Sequence, residues 1–285
     1  MGIKEFFRKR KKEKFSKKHK VGLCLSGGGT RGFAYLGAFK AFEEYGIKFD
    51  MVAGASAGSL FGALYCSGLS YEEMCKLTKG AKNSDFRKAK LGFLPSKMDM
   101  LQAKLNAVYP IKKIEQLKIP FIAVAVDLKT GKEVHFKQGE LAPIVCGSCS
   151  IPGVFLPVNY KNMTLIDGGA KNNIPADVLR ENGCDFVVTI DCNCTRGGGT
   201  TSSNMVTQFI TSIGITMANN SIKGMKLSDI IICPNMKRFK SLKIKDSEDM
   251  ILEGYNATIK AMPEIEDLFL GKRKKKNETK EKYNS

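Results

Sequence analysis

The sequence predicts an α/β fold in which a mostly parallel central sheet is flanked by helices on both faces. Two observations carry this. Short apolar runs of strand length alternate along the chain with segments whose apolar residues recur at helical spacing. Strands that alternate with helices pair in parallel and are covered on both sides, so they read as continuous apolar runs rather than in-out alternation. A third observation is that glycine-rich turns follow several of these runs, and the chemistry sits in those turns.

In chain order, residues 21–25 make a buried strand, and 31–45 has helical spacing through Phe33, Leu36, Phe39 and Phe42. Residues 50–53 form a second strand, and 58–65 open a helix. The stretch 72–118 is lysine-rich with weak helical signals and the break Gly92-Phe93-Leu94-Pro95, and is expected to be a lid or side wall. Residues 120–127 are a further buried strand. Residues 132–136 alternate after the Thr130-Gly131 turn, as an edge or hairpin strand does. A helix over 141–149 ends before Pro152. A strand over 186–191 leads into a glycine-rich loop at 195–201. A long helix is expected over 203–223, a last strand over 229–233 and a terminal helix over 246–261. There is no internal repeat.

Charge is concentrated at the two ends. Residues 1–20 hold ten Lys/Arg against two Glu, and residues 271–285 hold seven against two, so the ends carry +13 of the chain's +18. Such tails are expected to be disordered. Each Lys/Arg near an anionic lipid surface contributes about 1 kcal/mol, so the tails suit an anionic membrane surface. A generic solubilising or RNA-sticky tail is the other reading, without specific nucleic-acid recognition. Met1-Gly2-Ile3-Lys4-Glu5-Phe6 lacks the Ser/Thr of a myristoylation signal. No apolar run approaches the roughly 20 residues of a membrane span, and no secretory apolar region follows the N-terminus. Nine cysteines without framework spacing point to reduced thiols and a cytoplasmic setting, peripheral on the inner membrane face if the tails bind there.

Three motifs carry chemistry. Gly54-Ala55-Ser56-Ala57-Gly58 lies between a strand and a helix, the setting in which a nucleophilic serine is presented at a tight turn. The small residues permit such a turn, and the helix N-terminus stabilises a developing anion. A glycine-rich turn with a capping serine fits the same pentapeptide. Ser26-Gly27-Gly28-Gly29-Thr30-Arg31-Gly32 directs backbone N–H groups to a helix N-terminus, which suits an oxyanion or a phosphate. Gly27, Gly29 and Gly32 also satisfy the dinucleotide pattern. That use needs an acid at the far end of the second strand, and Asp50 instead opens it. A P-loop is excluded, since no Gly-Lys-Ser/Thr closes the loop. Asp167-Gly168-Gly169 follows another apolar run, and a turn aspartate is its simplest reading. The two histidines, His19 in the basic tail and His135 on the alternating strand, are poorly placed for a Ser-His-Asp triad. The pattern therefore points to a serine activated by an aspartate alone. Cys192 and Cys194 lack zinc-site spacing, and neither a metal nor a cofactor is expected.

These blocks, together with Ser148-Cys149-Ser150-Ile151-Pro152-Gly153-Val154-Phe155-Leu156-Pro157 and Asn172-Asn173-Ile174-Pro175, resemble the patatin-like phospholipases over residues 20–191. Tyr35 departs from many bacterial relatives, which carry His there, at a position not expected to be catalytic. The resemblance implies a single catalytic domain over 20–270 between basic tails at 1–19 and 271–285. It implies that Ser56 is the nucleophile and Asp167 the general base, 111 residues apart, with Gly27, Gly28 and Gly29 supplying oxyanion-hole amides. Arg31, Gly32, Gly54, Gly58, Gly168 and Gly169 are then supporting motif positions. The implied activity is acyl hydrolysis of a phospholipid or lysophospholipid through an acyl-enzyme. A soluble carboxylesterase or acyltransferase on the same dyad remains open, as does a nucleotide-binding or membrane-adaptor domain with an unreactive Ser56.

Overall fold

The computed structural model describes residues 19–79, 98–194, 205–239 and 246–272. Its strands are β1 (Val21–Leu25), β2 (Met51–Ala55), β3 (Phe121–Asp127), β4 (Lys132–Phe136), β5 (Val158–Tyr160), β6 (Met163–Asp167), β7 (Phe186–Ile190) and β8 (Ile230–Ile232). The helices are α1 (Phe33–Tyr45), α2 (Ala57–Cys66), α3 (Tyr71–Lys79), α4 (Asp99–Val108), α5 (Leu141–Ser148), α6 (Ala176–Glu181), α7 (Met205–Asn219), α8 (Ile222–Leu227) and α9 (Ser247–Phe269).

All eight strands form one sheet in the order β5-β6-β3-β2-β1-β7-β8, with β4 on β3. The pairs β3–β2, β2–β1, β1–β7 and β7–β8 are parallel, and β3–β4, β3–β6 and β5–β6 are antiparallel. Every residue of β1, β3 and β7 is buried. That burial on both faces is why their sequences show continuous Val, Ile, Leu and Phe rather than alternation. The α/β class and mostly parallel sheet agree with the sequence. The edge strand at 132–136 is present, with partly exposed residues at its start.

Three elements differ. The helix expected over 203–223 is two helices, α7 and α8. At the break, Asn220 Nδ2 donates to the carbonyls of Gly169 (3.2 Å) and Ala170 (2.7 Å). A side chain spent on a neighbouring turn competes with helix continuation. The terminal helix runs on to Phe269 through Pro263, and Phe269 packs edge-on against Phe49 at 5.5 Å. Tertiary burial there outweighs the interior proline. The stretch 72–118 contributes α3 and α4, while its Gly92–Pro95 break lies outside the described residues. So do 1–18 and 273–285, and with them nearly all of both tails, and the 195–201 loop. Cys194 and Cys233 form a disulfide, against the expectation of reduced thiols.

Candidate active site

β2 ends at Ala55, and Ser56 takes φ +52°, ψ −123° before α2 begins. Among the described residues only Ser56 and Lys161 are non-glycine residues with positive φ. Such a conformation costs on the order of 1–3 kcal/mol and persists only where its surroundings hold it. Here they do. Ser56 N–H donates to Ser148 Oγ at 3.0 Å, and Ser56 O accepts from Ser59 N (2.9 Å), Ser59 Oγ (2.7 Å) and Leu60 N (3.2 Å). Gly58 is required by close approach, since a Cβ there would reach Ser26 O at 2.8 Å and collide with Leu25 O. The Ser56 hydroxyl makes no capping bond to its helix. The capping-serine alternative therefore fails, and the hydroxyl stays free of its own helix at the helix N-terminus.

Register brings Asp167 to this turn. On β3, Val124 pairs with Ala55 of β2 and His135 of β4, while Ala125 pairs with Asp167 of β6 and Val134 of β4. Because β4 holds the opposite edge at both positions, β2 and β6 share one edge of β3 and meet end to end. A Cβ on Gly168 would lie 3.3 Å from Ala55 Cβ. The 111-residue separation is thus closed by a single strand. Asp167 is fully buried. Its Oδ1 accepts Gly169 N–H at 2.8 Å, the turn role the sequence allowed, while Oδ2 has no hydrogen-bond partner. Burial pushes its pKa up to about 7, against the pull of the Ser56 hydroxyl and the Gly169 amide. A carboxyl so placed exchanges a proton near neutrality.

The glycine loop runs from β1 past the same turn. Gly29 takes φ +59°, a left-handed conformation that favours glycine. Gly27 N–H donates to Asn173 O at 3.0 Å, so this amide is already used. The N–H groups of Gly28 and Gly29 donate to no other described residue, and both residues are partly exposed. Arg31 is engaged elsewhere. Its Nε and Nη2 donate to Phe239 O (3.1 and 2.9 Å) and its Nη1 to Asn193 Oδ1 (3.2 Å), so it braces the loop. Asn193 Nδ2 in turn donates to Gly27 O. Tyr35 is fully buried with its hydroxyl on Ser26 O and 3.1 Å from Ser26 Oγ. It too shapes the loop.

Other groups are set apart. His135 is engaged with Glu133 (Nε2 to Oε1, 2.6 Å), which raises its pKa. His19 packs on Phe186, edge to face at 5.4 Å, with Nδ1 3.9 Å from Asp185 Oδ2. Asp50 Oδ2 accepts Val21 N–H at 2.8 Å, at the end of β1 opposite the glycine loop, where no ribose on that loop is within reach. Burial and the nearby Asp167 hold the Cys149 thiol well above its ordinary pKa, so it stays protonated beside Ser56. Ser148, Asn173 and Asn193 are contacts that motif reading did not assign. Their only sequence signal was membership of the blocks quoted for the resemblance, and Asn193 had none.

The chain is thus an α/β protein whose strained serine, buried aspartate and glycine loop lie at strand ends of one mostly parallel sheet. The family profile for patatin-like phospholipase matches residues 23–180. The chain belongs to the patatin-like phospholipase family. It is 31% identical over 185 residues to an uncharacterised NTE family protein of Mycobacterium tuberculosis, covering 63% of this chain and 51% of that one. It is also 31% identical to human patatin-like phospholipase domain-containing protein 6, covering 60% of this chain and 13% of that protein. The chain thus spans about half or less of these relatives. Its fold is similar to VipD from Legionella pneumophila (TM-score 0.60, 16% identity, 87% of this chain and 67% of that one). It is also similar to human GIVD cytosolic phospholipase A2 (TM-score 0.52, 10% identity, 94% and 63%).

Proposed function

We propose that the chain is a serine acyl hydrolase acting on lipid esters through Ser56 and Asp167. The observation that carries this reading is the meeting of β2 and β6 on one edge of β3, which sets an uncapped, strained serine hydroxyl against a buried carboxyl of raised pKa. Asp167 takes the proton as Ser56 Oγ attacks the ester carbonyl, and the alcohol leaves with a proton returned by Asp167. The N–H groups of Gly28 and Gly29 receive the oxyanion, while Gly27 anchors the loop through Asn173. Losing one such donor costs on the order of 3 kcal/mol of transition-state stabilisation. Water, deprotonated by the same carboxylate, then releases the acyl group from Ser56.

The lipid class is supported by α7, which carries no charged residue and exposes Met205, Phe209 and Ile215. The helix lies against the turn that follows Asp167 and the loop after α5, since a Cβ on Gly169 would meet Met217 and one on Gly153 would meet Phe209. An uncharged, partly apolar helix beside the Asp167 turn suits substrate presented as an aggregate. Recruitment to anionic membranes by the basic tails is part of the proposal. Among the described residues no helix is long and apolar enough to cross a membrane. The test is labelling with a fluorophosphonate followed by mapping, with turnover on a micellar and a monomeric ester. Modification at Ser56 with higher micellar turnover supports the reading. An unmodified Ser56 removes it, and equal turnover on both forms makes the chain a soluble-ester hydrolase.

A further inference from the structure

The segment at the C-terminal end of α5 touches both members of the proposed dyad through three consecutive residues. Ser148 is fully buried, and its hydroxyl accepts Ser56 N–H at 3.0 Å while donating to Val124 O at 2.6 Å. Val124 is the β3 residue opposite Ala55, so this hydroxyl links the end of β2 to β3 at the point where the chain turns into Ser56. Cys149 Sγ donates to Ser56 O at 3.2 Å, and its raised pKa keeps it a donor. Ser150 O accepts Asp167 N–H at 3.0 Å, and Ser150 Oγ donates back to Cys146 O at 2.9 Å, closing the segment on its own helix.

We infer that Ser148-Cys149-Ser150 is a clamp that fixes Ser56 relative to Asp167, with Ser148 as its positioning residue. This rests on the dyad proposed above. Two demands meet here. The Ser56 N–H is buried, and an unpaired buried donor costs about 1–3 kcal/mol, so it requires an acceptor. Ser56 is also held at positive φ, and a strained residue relaxes unless its neighbours over-determine it. The Ser148 hydroxyl meets both demands, and the Ser150 carbonyl ties the same short segment to the base. None of these groups reaches the reacting atoms. Their effect is on the placement of the Ser56 hydroxyl, where an error near 1 Å costs about a hundredfold in rate.

The experiment compares full-length wild type with Ser148→Ala, Ser148→Thr and Cys149→Ala. The readouts are thermal melting, kcat and KM on a soluble short-chain ester, and the rate of fluorophosphonate labelling at Ser56. Ser148→Ala is expected to lower kcat and the labelling rate together by about a hundredfold, with KM changed by less than about twofold. The acid limb of its pH–rate profile should keep its midpoint, because the base is untouched. Ser148→Thr, which retains the hydroxyl, should recover most of the loss, and Cys149→Ala should lose about threefold. A purely structural role would lower the melting temperature while sparing kcat per folded molecule, and would overturn the clamp. Wild-type labelling at Ser56 with equal labelling of Ser148→Ala overturns the clamp and leaves the dyad standing. Absence of labelling at Ser56 in wild type removes both. If Ser148→Ala does not fold, Cys149→Ala decides, and its unchanged kcat and labelling rate overturn the clamp.

Discussion

Asp167→Asn should stabilise the protein while abolishing its activity, and the stabilisation should depend on pH. Burial lifts the Asp167 carboxyl from 3.8 to about 7. The sign follows from where each state binds the proton. Below pH 4 both folded and unfolded chains carry the neutral acid, so burial of charge costs nothing. Between about pH 4 and 7 the unfolded chain ionises while the folded state still holds the proton. The cost therefore grows from about 2 kcal/mol at pH 5 to about 4 kcal/mol at pH 8, levelling off above about pH 7 where the folded state buries the carboxylate. Asparagine keeps the acceptor for Gly169 N–H and replaces the unpartnered Oδ2 with a neutral amide beside Ser56. Burying that amide costs about 1–2 kcal/mol. The net gain is therefore about 2–3 kcal/mol at pH 8, a rise of roughly 5–10 °C in melting temperature, and close to zero at pH 5. Denaturant and thermal melts of both proteins at the two pH values measure this, and ester hydrolysis of the same samples should fall as far as in Ser56→Ala. An Asp167→Asn protein destabilised equally at pH 5 and pH 8 would show that the carboxyl is not held as a buried, proton-exchanging group, and the assignment of the base would fall with it.

Ser56→Ala should lose ester hydrolysis while keeping its fold, because the hydroxyl makes no capping bond; near-wild-type turnover on short p-nitrophenyl esters would refute the nucleophile. Since the base works as the anion and its pKa stands at about 7, kcat/KM should rise with pH through 7 and fall about tenfold per unit below pH 6; a flat profile between pH 5 and 8 would contradict it. His135→Ala, which breaks only an edge-strand contact with Glu133, and His19→Ala should be near neutral in turnover; a loss from His135→Ala as large as from Asp167→Asn in a folded protein would restore a triad. Deleting residues 1–18 removes nine Lys/Arg and both Glu of that tail. It should weaken co-sedimentation with anionic vesicles, and high salt should mimic it by screening, with soluble-ester turnover preserved. Equal, salt-independent sedimentation of both forms would make the tail a solvated appendage.

How much of this was legible in the sequence depends on the range of each interaction. The buried strands were legible because burial on both faces forces an unbroken apolar run, as in Val21–Leu25 and Phe121–Asp127. The Ser56 turn was legible because its geometry demands small residues at fixed offsets, such as Gly58 against the Leu25 and Ser26 carbonyls. What stayed hidden is made by contacts across the fold. No local signal distinguished a free amide at Gly28 or Gly29 from the one Gly27 gives to Asn173, because the acceptor lies 146 residues away. Arg31 was legible only as a supporting position of the glycine loop, whereas its guanidinium is spent on Phe239 and Asn193, more than 160 residues downstream. The break between α7 and α8 followed the same rule, since Asn220 prefers the carbonyls of a turn that only the sheet register brings near. Local sequence thus specified the strained turn and the loop that flanks it. The groups that hold the serine, the carboxyl and the loop in one frame are ordinary Ser, Asn and Arg residues, whose roles come from register rather than from identity.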